Sequence, residues 1–211
     1  VKVGAGFDVA QLPEGVEAHW VSHEHEAVEC VLWWGAAVTE PGGRSAVVSS
    51  AGQWHRLRAA GGPAQAARVD APAHIGTVLY ELDPAVAAAG LRPQVADEVQ
   101  ARLLGSGAYL TGDGSHETVW ARGWAVHDVL PLRTAALRGW ARQEDVGALT
   151  VKRPARRAPG GAALPEGDVL RRRIAPSGNR PATLLLTDIL PSGPGVALWV
   201  SPWPRGERAG P

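Results

Sequence analysis

The amino-acid sequence predicts an α/β plus α+β protein, and three observations lead to that fold class. Residues 122–153 read in order as a strand, an amphipathic helix and a second strand. Short runs that alternate in polarity, or that are rich in β-branched residues, recur before and after this unit. The composition, 45% apolar and 20% charged, is typical of a chain that folds around a packed core.

The strand–helix–strand unit is recognised by a change of periodicity. Residues 122–130 alternate as in a strand, and Pro131 ends the ladder because it has no N–H. Apolar residues then recur at three- and four-residue spacing, as on the buried side of an amphipathic helix: Leu132, Ala136, Leu137, Trp140 and Ala141. We expect Thr134 to cap this helix and Gly147 to end it, so that the next strand covers residues 148–152.

The first six residues place a Gly-x-Gly sequence after a predicted strand, as nucleotide-type cofactor loops do. We reject that interpretation because the third glycine is absent and Lys2 stands where such a loop carries an acid. Pro13 and Gly15 also interrupt the helix that should follow. The segment is therefore predicted to be a strand followed by a turn.

A polar tip at residues 23–26 separates two strand-like runs, 16–22 and 27–35, and predicts a β-hairpin. This region contains side chains of the types that bind metals: His19, His23, Glu24, His25, Glu26 and Cys30. Their spacing would cluster ligands on a helix, whereas these residues lie on strands and a turn, and Cys30 sits in an apolar run. We therefore expect a solvated hairpin tip and no metal site.

The middle of the chain predicts short strands at 44–49, 54–57 and 78–80, with a loop at 61–68 where Gly, Pro and Ala accumulate. Asp83 and Pro84 predict the start of a helix that Gly90 ends. A second helix is expected from Pro93. The apolar stripe of this helix is Val95, Val99, Leu103 and Leu104. Gly105 and Gly107 are expected to end the helix. Glu81 and Asp83 resemble an acid–base pair, but the capping role already explains Asp83.

Positive charge collects in residues 149–180, although the whole chain is neutral, with 21 basic and 21 acidic residues. Residues 1–40, in contrast, contain seven acidic residues and one lysine, which argues against nucleic acid at that end. Five basic residues are the candidate contacts to RNA phosphates: Lys152, Arg153, Arg171, Arg172 and Arg173. Charge runs are also common on solvated surfaces, so both interpretations remain open. Two strands, at 182–190 and 196–200, are expected to close the fold.

The order of these segments resembles the THUMP-like C-terminal domain of a family of bacterial class I S-adenosylmethionine-dependent methyltransferases. The resemblance is carried by residues 129–132, the helix after them, Leu-Thr-Val-Lys-Arg at 149–153, and the runs 168–174 and 182–187. Upstream, residues 1–35 and 80–113 are similar to segments between the catalytic core and the tail in that family. The chain departs from the family where Lys152-Arg153-Pro154 leads into an Ala/Pro/Gly insertion in place of a Lys-Arg-Gly ending.

The resemblance implies four regions. These are late edge strands of a Rossmann-like methyltransferase sheet at 1–40, a helical connector with short strands at 41–118, a THUMP-like α+β domain at 119–203, and a disordered tail at 204–211. It also implies the C-terminal portion of an S-adenosylmethionine-dependent methyltransferase that acts on RNA. The glycine turn and ribose-binding acid of such enzymes are not found in this sequence. We therefore expect no catalytic or cofactor-binding residues here, and no S-adenosylmethionine binding by this chain alone.

Two other classes of function remain open on the sequence: a stand-alone RNA-binding or protein-interaction module without catalytic activity, and a remnant of a truncated gene. The chain contains no methionine and starts at Val1 inside a predicted strand, which favours a longer protein. The single cysteine favours a cytoplasmic location. No apolar run approaches the ~18 residues of a membrane span, and nothing indicates specificity for DNA.

Overall fold

The computed structural model describes residues 1–59, 66–105, 107, 109–154, 164–189 and 195–203. The chain divides into two compact units, each made of separate stretches of sequence. The first consists of Val1–Ala66, Glu81–Ala101 and His116–Arg122, and the second of Ala67–Tyr80, Arg102–Ser115 and Gly123–Pro211. In the described part of the chain, no helix is long and apolar enough to cross a membrane.

The first unit contains a five-stranded mixed sheet. Its strands are β1 (Lys2–Gly4), β2 (Glu17–His23), β3 (Glu26–Trp33), β4 (Arg44–Ser50) and β5 (Gln53–Arg58), in the order β1-β3-β2-β4-β5. Strands β2 and β4 are parallel, and the other neighbouring pairs are antiparallel. The predicted hairpin at 16–35 is present, and the predicted strands at 44–49 and 54–57 pair with each other as a second hairpin. That β1–β3 form the edge of a Rossmann-like sheet stays a prediction.

The two hairpins turn through residues with positive φ, as two-residue connections require. These residues are Glu24 and His25 between β2 and β3, and Ala51 and Gly52 between β4 and β5. Alternation then sends Trp20, Cys30 and Val48 to the buried side of the sheet. Burial raises the pKa of the Cys30 thiol to about 11, so this residue acts as a small buried apolar group.

Two short helices follow, α1 (Pro84–Ala88) and α2 (Arg92–Glu98). The predicted start of α1 is confirmed, because the Asp83 carboxylate accepts a hydrogen bond from the Ala85 N–H at 2.8 Å. The predicted length of α2 is wrong: the helix ends at Glu98 and Gln100 adopts a positive φ. Leu103 and Leu104 belong instead to a strand.

That strand, β7 (Arg102–Leu104), pairs with β8 (Tyr109–Gly112) in a seven-stranded sheet. The other strands are β6 (Val78–Leu82), β9 (Ala121–Pro131), β10 (Val146–Lys152), β11 (Arg180–Asp188) and β12 (Gly195–Pro202). The order is β10-β11-β12-β9-β6-β8-β7. Gly105 turns the chain after β7 and does not close a helix. A Cβ at this position would lie 2.0 Å from the Asp188 carbonyl oxygen.

Helix α3 (Thr134–Gln143) joins β9 to β10, which confirms the predicted strand–helix–strand order. Strands β9 and β10 are not neighbours, because β11 and β12 lie between them. They still run in the same direction: β10 is parallel to β11, β11 is antiparallel to β12, and β12 is antiparallel to β9. Helix α4 (Gly167–Ile174) joins the adjacent parallel pair β10 and β11. The unit seen in the sequence is therefore followed by a second parallel crossover.

Two local predictions in this unit are wrong. Thr134 is the first residue of α3 and not its cap; Arg133 is the cap residue and makes no capping bond with its side chain. Gly147 lies inside β10, whereas the chain leaves the helix at Asp145, which has a positive φ. Glycine is needed at 147 because a Cβ there would lie 2.0 Å from the Gly178 carbonyl oxygen.

Helices α3 and α4 pack on the same face of the sheet, because both contribute to one core cluster. Its members from the helices are Leu137, Trp140, Ala141, Leu170 and Ile174. In β11, Leu184 and Leu186 face this cluster and Leu185 faces the cluster on the other side, as strand alternation requires. The predicted closing strands are present as β11 and β12. The predictions for 61–65 and 204–211 lie outside the described residues, as does the insertion at 155–163.

Helix α4 ends on a residue that is unfavourable for its conformation. Ala175 has φ 49° and ψ 60°, and its N–H donates to the Arg171 carbonyl oxygen. The left-handed conformation costs a residue with a Cβ roughly 1–2 kcal/mol, and glycine avoids that cost.

We expect Ala175→Gly to raise the free energy of unfolding by about 1 kcal/mol in urea denaturation. Ala136→Gly inside α3 should lower it by about 1 kcal/mol, and equal effects of the two changes would contradict the strain.

Candidate nucleic-acid interface

Basic side chains collect on the outer side of helices α3 and α4, which contact each other. We call this the α3–α4 surface. Its basic residues, all exposed, are Arg133, Arg138, Arg142, Arg171, Arg172 and Arg173. The acids on the same two helices and at their ends are Glu144, Asp145, Glu166 and Asp168. Cations therefore outnumber anions on this surface, as a polyanion-binding face requires.

Helix α4 exposes all three of its arginines because its buried stripe is narrow. Only Leu170 and Ile174, one turn apart, are buried in it. Arg171 pairs with Asp168 on its own helix at 2.5 Å. In the described part of the chain, no hydrogen bond or ion pair engages the guanidinium groups of Arg172 and Arg173. These two side chains keep their full donor capacity for a ligand.

The other two candidates from the sequence, Lys152 and Arg153, are already engaged. The Lys152 ammonium lies 4.4 Å from the centre of the buried Trp124 ring, a cation–π contact. Arg153 pairs with Glu166, with Nη2 and Oε2 2.7 Å apart. Glu166 precedes the first turn of α4, whereas the three arginines occupy its last turn. Arg153 therefore lies near the start of a helix that is ~12 Å long and the three arginines lie near its end, so the five candidates do not form one cluster.

Helix α3 supplies two further basic residues, Arg138 and Arg142. The sequence pattern placed them on the polar side of an amphipathic helix and gave them no other role. Arg138 and Arg142 are one turn apart and project from the same side. The Nε of Arg138 donates to the Arg173 carbonyl oxygen at 2.6 Å, which ties α3 to the last turn of α4. Their spacing was visible in the sequence. Their proximity to α4 was not, because it depends on how the two helices pack.

A cleft of about 450 Å³ opens between the last turns of these helices. It is lined by Arg138, Ala141, Arg142, Asp145, Ile174, Ala175, Pro176, Ser177 and Gly178. The cleft is partly open to solvent, so it would contact one side of a ligand and not enclose it. The α3–α4 surface thus combines exposed cations with a concave site.

The first unit contains a buried polar cluster of a different kind. Glu17 is 2% exposed, and its carboxylate accepts hydrogen bonds from the Thr39 N–H, the Thr39 hydroxyl and the Glu40 N–H at 2.8–3.1 Å. Arg56 Nη2 and His19 Nε2 lie 3.0 and 2.7 Å from Oε1. Burial alone would raise the pKa of Glu17, but the hydrogen bonds, above all that of His19, hold the pKa well below its ordinary range. This cluster stabilises the sheet and has no free group for chemistry.

Three residues of the hairpin tip, His23, Glu24 and Glu26, are exposed as expected, whereas His25 is partly buried. The side chain of His25 is only 13% exposed, and its Nδ1 lies 3.4 Å from the Asp83 carboxylate. Ser22 Oγ donates to the other oxygen of Asp83 at 2.6 Å. A catalytic triad needs a serine bonded to the histidine, whereas here the serine is fully buried and donates to the carboxylate. In the residues that the structure describes, no group of three or more His, Cys, Asp or Glu is placed to hold a metal.

With the α3–α4 surface described, comparison with known proteins gives two findings. Residues 121–202, from the start of β9 to the end of β12, match the family model described as THUMP domain-like. This region is therefore similar to the THUMP-like family. The whole fold is similar to a crystal structure described as a "putative methyltransferase" from Porphyromonas gingivalis W83.

The similarity to that structure has a TM-score of 0.72 and an identity of 18%, and it covers 96% of this chain. At this identity it shows a common fold, a mixed α/β architecture with two mixed sheets and few helices. The alignment covers 50% of the Porphyromonas chain, so the sequence described here spans about half the length of that protein. No curated protein sequence matches this chain.

Proposed function

We propose that this chain is the C-terminal part of an S-adenosylmethionine-dependent methyltransferase that acts on RNA, and that its THUMP-like region binds the RNA. The observation that carries the proposal is the α3–α4 surface, where Arg142, Arg172 and Arg173 are exposed and their guanidinium groups have no partner among the described residues. This surface lies inside the THUMP-like match, and THUMP domains are generally RNA-binding. Arginine donors contact phosphates without regard to sequence.

The catalytic part of the proposal is supported by the fold similarity to the Porphyromonas protein. The residues of this chain do not fit the cofactor. Strand β1 is an edge strand paired antiparallel with β3, and Gly4 and Gly6 lead into a single 3-10 turn at Val9–Gln11 in place of a helix. A class I cofactor site needs a glycine turn between a strand and a helix. We therefore propose that the S-adenosylmethionine site belongs to a part of the protein outside this sequence.

The test is RNA binding by the 211-residue chain as a function of salt. For a single strand, removal of one phosphate-binding cation flattens the slope of log K against log salt by ~0.7. For Arg172→Ala/Arg173→Ala we expect weaker binding of a single-stranded RNA and a slope flatter by about 1.4, measured by fluorescence anisotropy.

The matched control is Arg58→Ala/Arg102→Ala, which removes the same charge from exposed arginines outside residues 121–202. It should leave the slope close to that of the wild type. Equal slopes for the two double variants would show that the α3–α4 arginines are a solvated surface. No RNA binding by the wild-type chain would reject the proposed function as a whole.

A further inference from the structure

The cleft between the last turns of α3 and α4 has a rigid base made of backbone. The Gly178 N–H donates to the Val146 carbonyl at 2.8 Å, and the N–H groups of Asn179 and Arg180 both donate to the Asp145 carbonyl at 2.9 and 2.8 Å. A Cβ on Gly178 would lie 2.2 Å from the backbone of Asp145. Glycine at this position therefore allows the 175–180 loop to close onto the end of α3.

The cleft offers hydrogen-bond donors on one side. In the described part of the chain, no group binds the Arg142 guanidinium. Arg138 uses its Nε on the Arg173 carbonyl, which fixes the plane of its guanidinium beside the cleft. Each arginine presents several N–H donors and a flat face on which a planar group can stack.

The cleft also offers acceptors. Asp145 is exposed, and its carboxylate accepts one described side-chain hydrogen bond, from the Asn179 amide at 3.2 Å. A carboxylate has about four acceptor positions, so most of its capacity remains. The last turns of α3 and α4 add backbone carbonyls and the negative ends of two helix dipoles.

The combination of arginine donors with carboxylate and carbonyl acceptors favours some classes of ligand over others. A phosphate alone is disfavoured, because Asp145 and two helix C-termini oppose a second negative charge. An apolar group would leave the arginines and the carboxylate unpaired. A nucleobase carries donors and acceptors on one edge and has a flat face, and guanine places two adjacent N–H donors opposite the two oxygens of a carboxylate.

We propose that the cleft holds one unstacked guanine of a single-stranded RNA, with Asp145 accepting from its ring N–H and its 2-amino group, and Arg142 donating to the base or to a flanking phosphate. This inference rests on the proposed RNA binding and adds a base preference to it. Sequence-specific RNA recognition uses unstacked bases of this kind.

The experiment compares short oligouridines that carry one central guanosine, one central inosine or uridine only. Inosine lacks the 2-amino group and keeps the rest of the base edge. We expect the wild-type chain to bind the guanosine RNA about fivefold or more tightly than the inosine RNA. Asp145→Asn should abolish that ratio, because the asparagine NH2 group is a donor where the carboxylate accepted from the 2-amino group. Asparagine also tolerates the positive φ at this position, so the fold should be kept.

The control is Asp168→Asn, which removes an equal charge from α4 outside the cleft lining and should keep the guanosine-to-inosine ratio. Circular dichroism verifies that each variant is folded. RNA binding with equal affinity for the three oligonucleotides would overturn the guanine site and leave the proposed function intact. A ratio that persists in Asp145→Asn would also overturn the site. No binding of any RNA would overturn both.

Discussion

Replacement of Trp140 by alanine is expected to lower the free energy of unfolding by about 3–5 kcal/mol. Trp140 is 7% exposed, lies in the core cluster beneath α3, and contacts Trp199 with ring centres 5.8 Å apart at 64°. Its indole N–H is buried and has no hydrogen-bond partner among the described residues. The substitution therefore removes packing and no hydrogen bond. Urea denaturation followed by circular dichroism measures the change.

The same substitution at Trp54 is the control, because that side chain is 65% exposed on β5. Trp54→Ala should change the free energy of unfolding by less than about 0.5 kcal/mol. A Trp140 variant as stable as the wild type would show that α3 does not bury this face.

Glu17→Ala is the second change with a large expected effect, a decrease of about 2–3 kcal/mol in the free energy of unfolding. Removal of the buried carboxylate leaves Arg56 and the N–H groups of Thr39 and Glu40 without their acceptor. These donors lie at exposed residues that water can reach, so the loss comes mainly from the charge-assisted hydrogen bonds to the buried carboxylate. Glu14→Ala, at an exposed position, is the control and should be nearly neutral.

The Glu17 cluster also predicts the dependence of stability on pH. The pKa of Glu17 is held well below its ordinary value in the folded chain, so the unfolded chain takes up a proton at a higher pH than the folded one. The contribution of Glu17 is therefore fully present above the unfolded pKa of about 4.3. It is lost as the pH falls toward the folded pKa.

The measurement is the free energy of unfolding between about pH 3 and pH 7, for the wild type and for Glu17→Gln. The wild type should lose stability below about pH 4 more steeply than the variant, which has no proton to gain at this position. Parallel curves would mean that Glu17 is not the carboxylate responsible.

Patterns of short range predicted much of the fold. Short runs rich in strand-forming residues, bounded by turn signals, placed the strands of both hairpins and of β11 and β12. Three- and four-residue spacing placed α3 with Leu137, Trp140 and Ala141 buried. Asp83 and Pro84 predicted the start of α1 because a cap satisfies backbone groups within three residues.

The same rules failed where a distant segment decided the outcome. Leu103 and Leu104 fit a helical stripe, but pairing with β8 and the turn at Gln100 make them a strand. Gly147 suited a helix end, but its lack of a Cβ serves the approach of Gly178 within the fold. Spacing along the chain does not report such contacts, because they join residues far apart in sequence.

For the candidate site, too, some features followed from the sequence and others depended on contacts between distant segments. The sequence by itself determined that positive charge collects late in the chain and that Arg171, Arg172 and Arg173 are polar positions of one segment. Tertiary structure decided which of these charges can bind a ligand. Arg153 pairs with Glu166, and the Lys152 ammonium lies over the Trp124 ring. It also brought Arg138, Arg142 and Asp145 to a cleft beside α4. Helix–helix packing sets these distances, and it depends on side chains from both helices and the sheet beneath them.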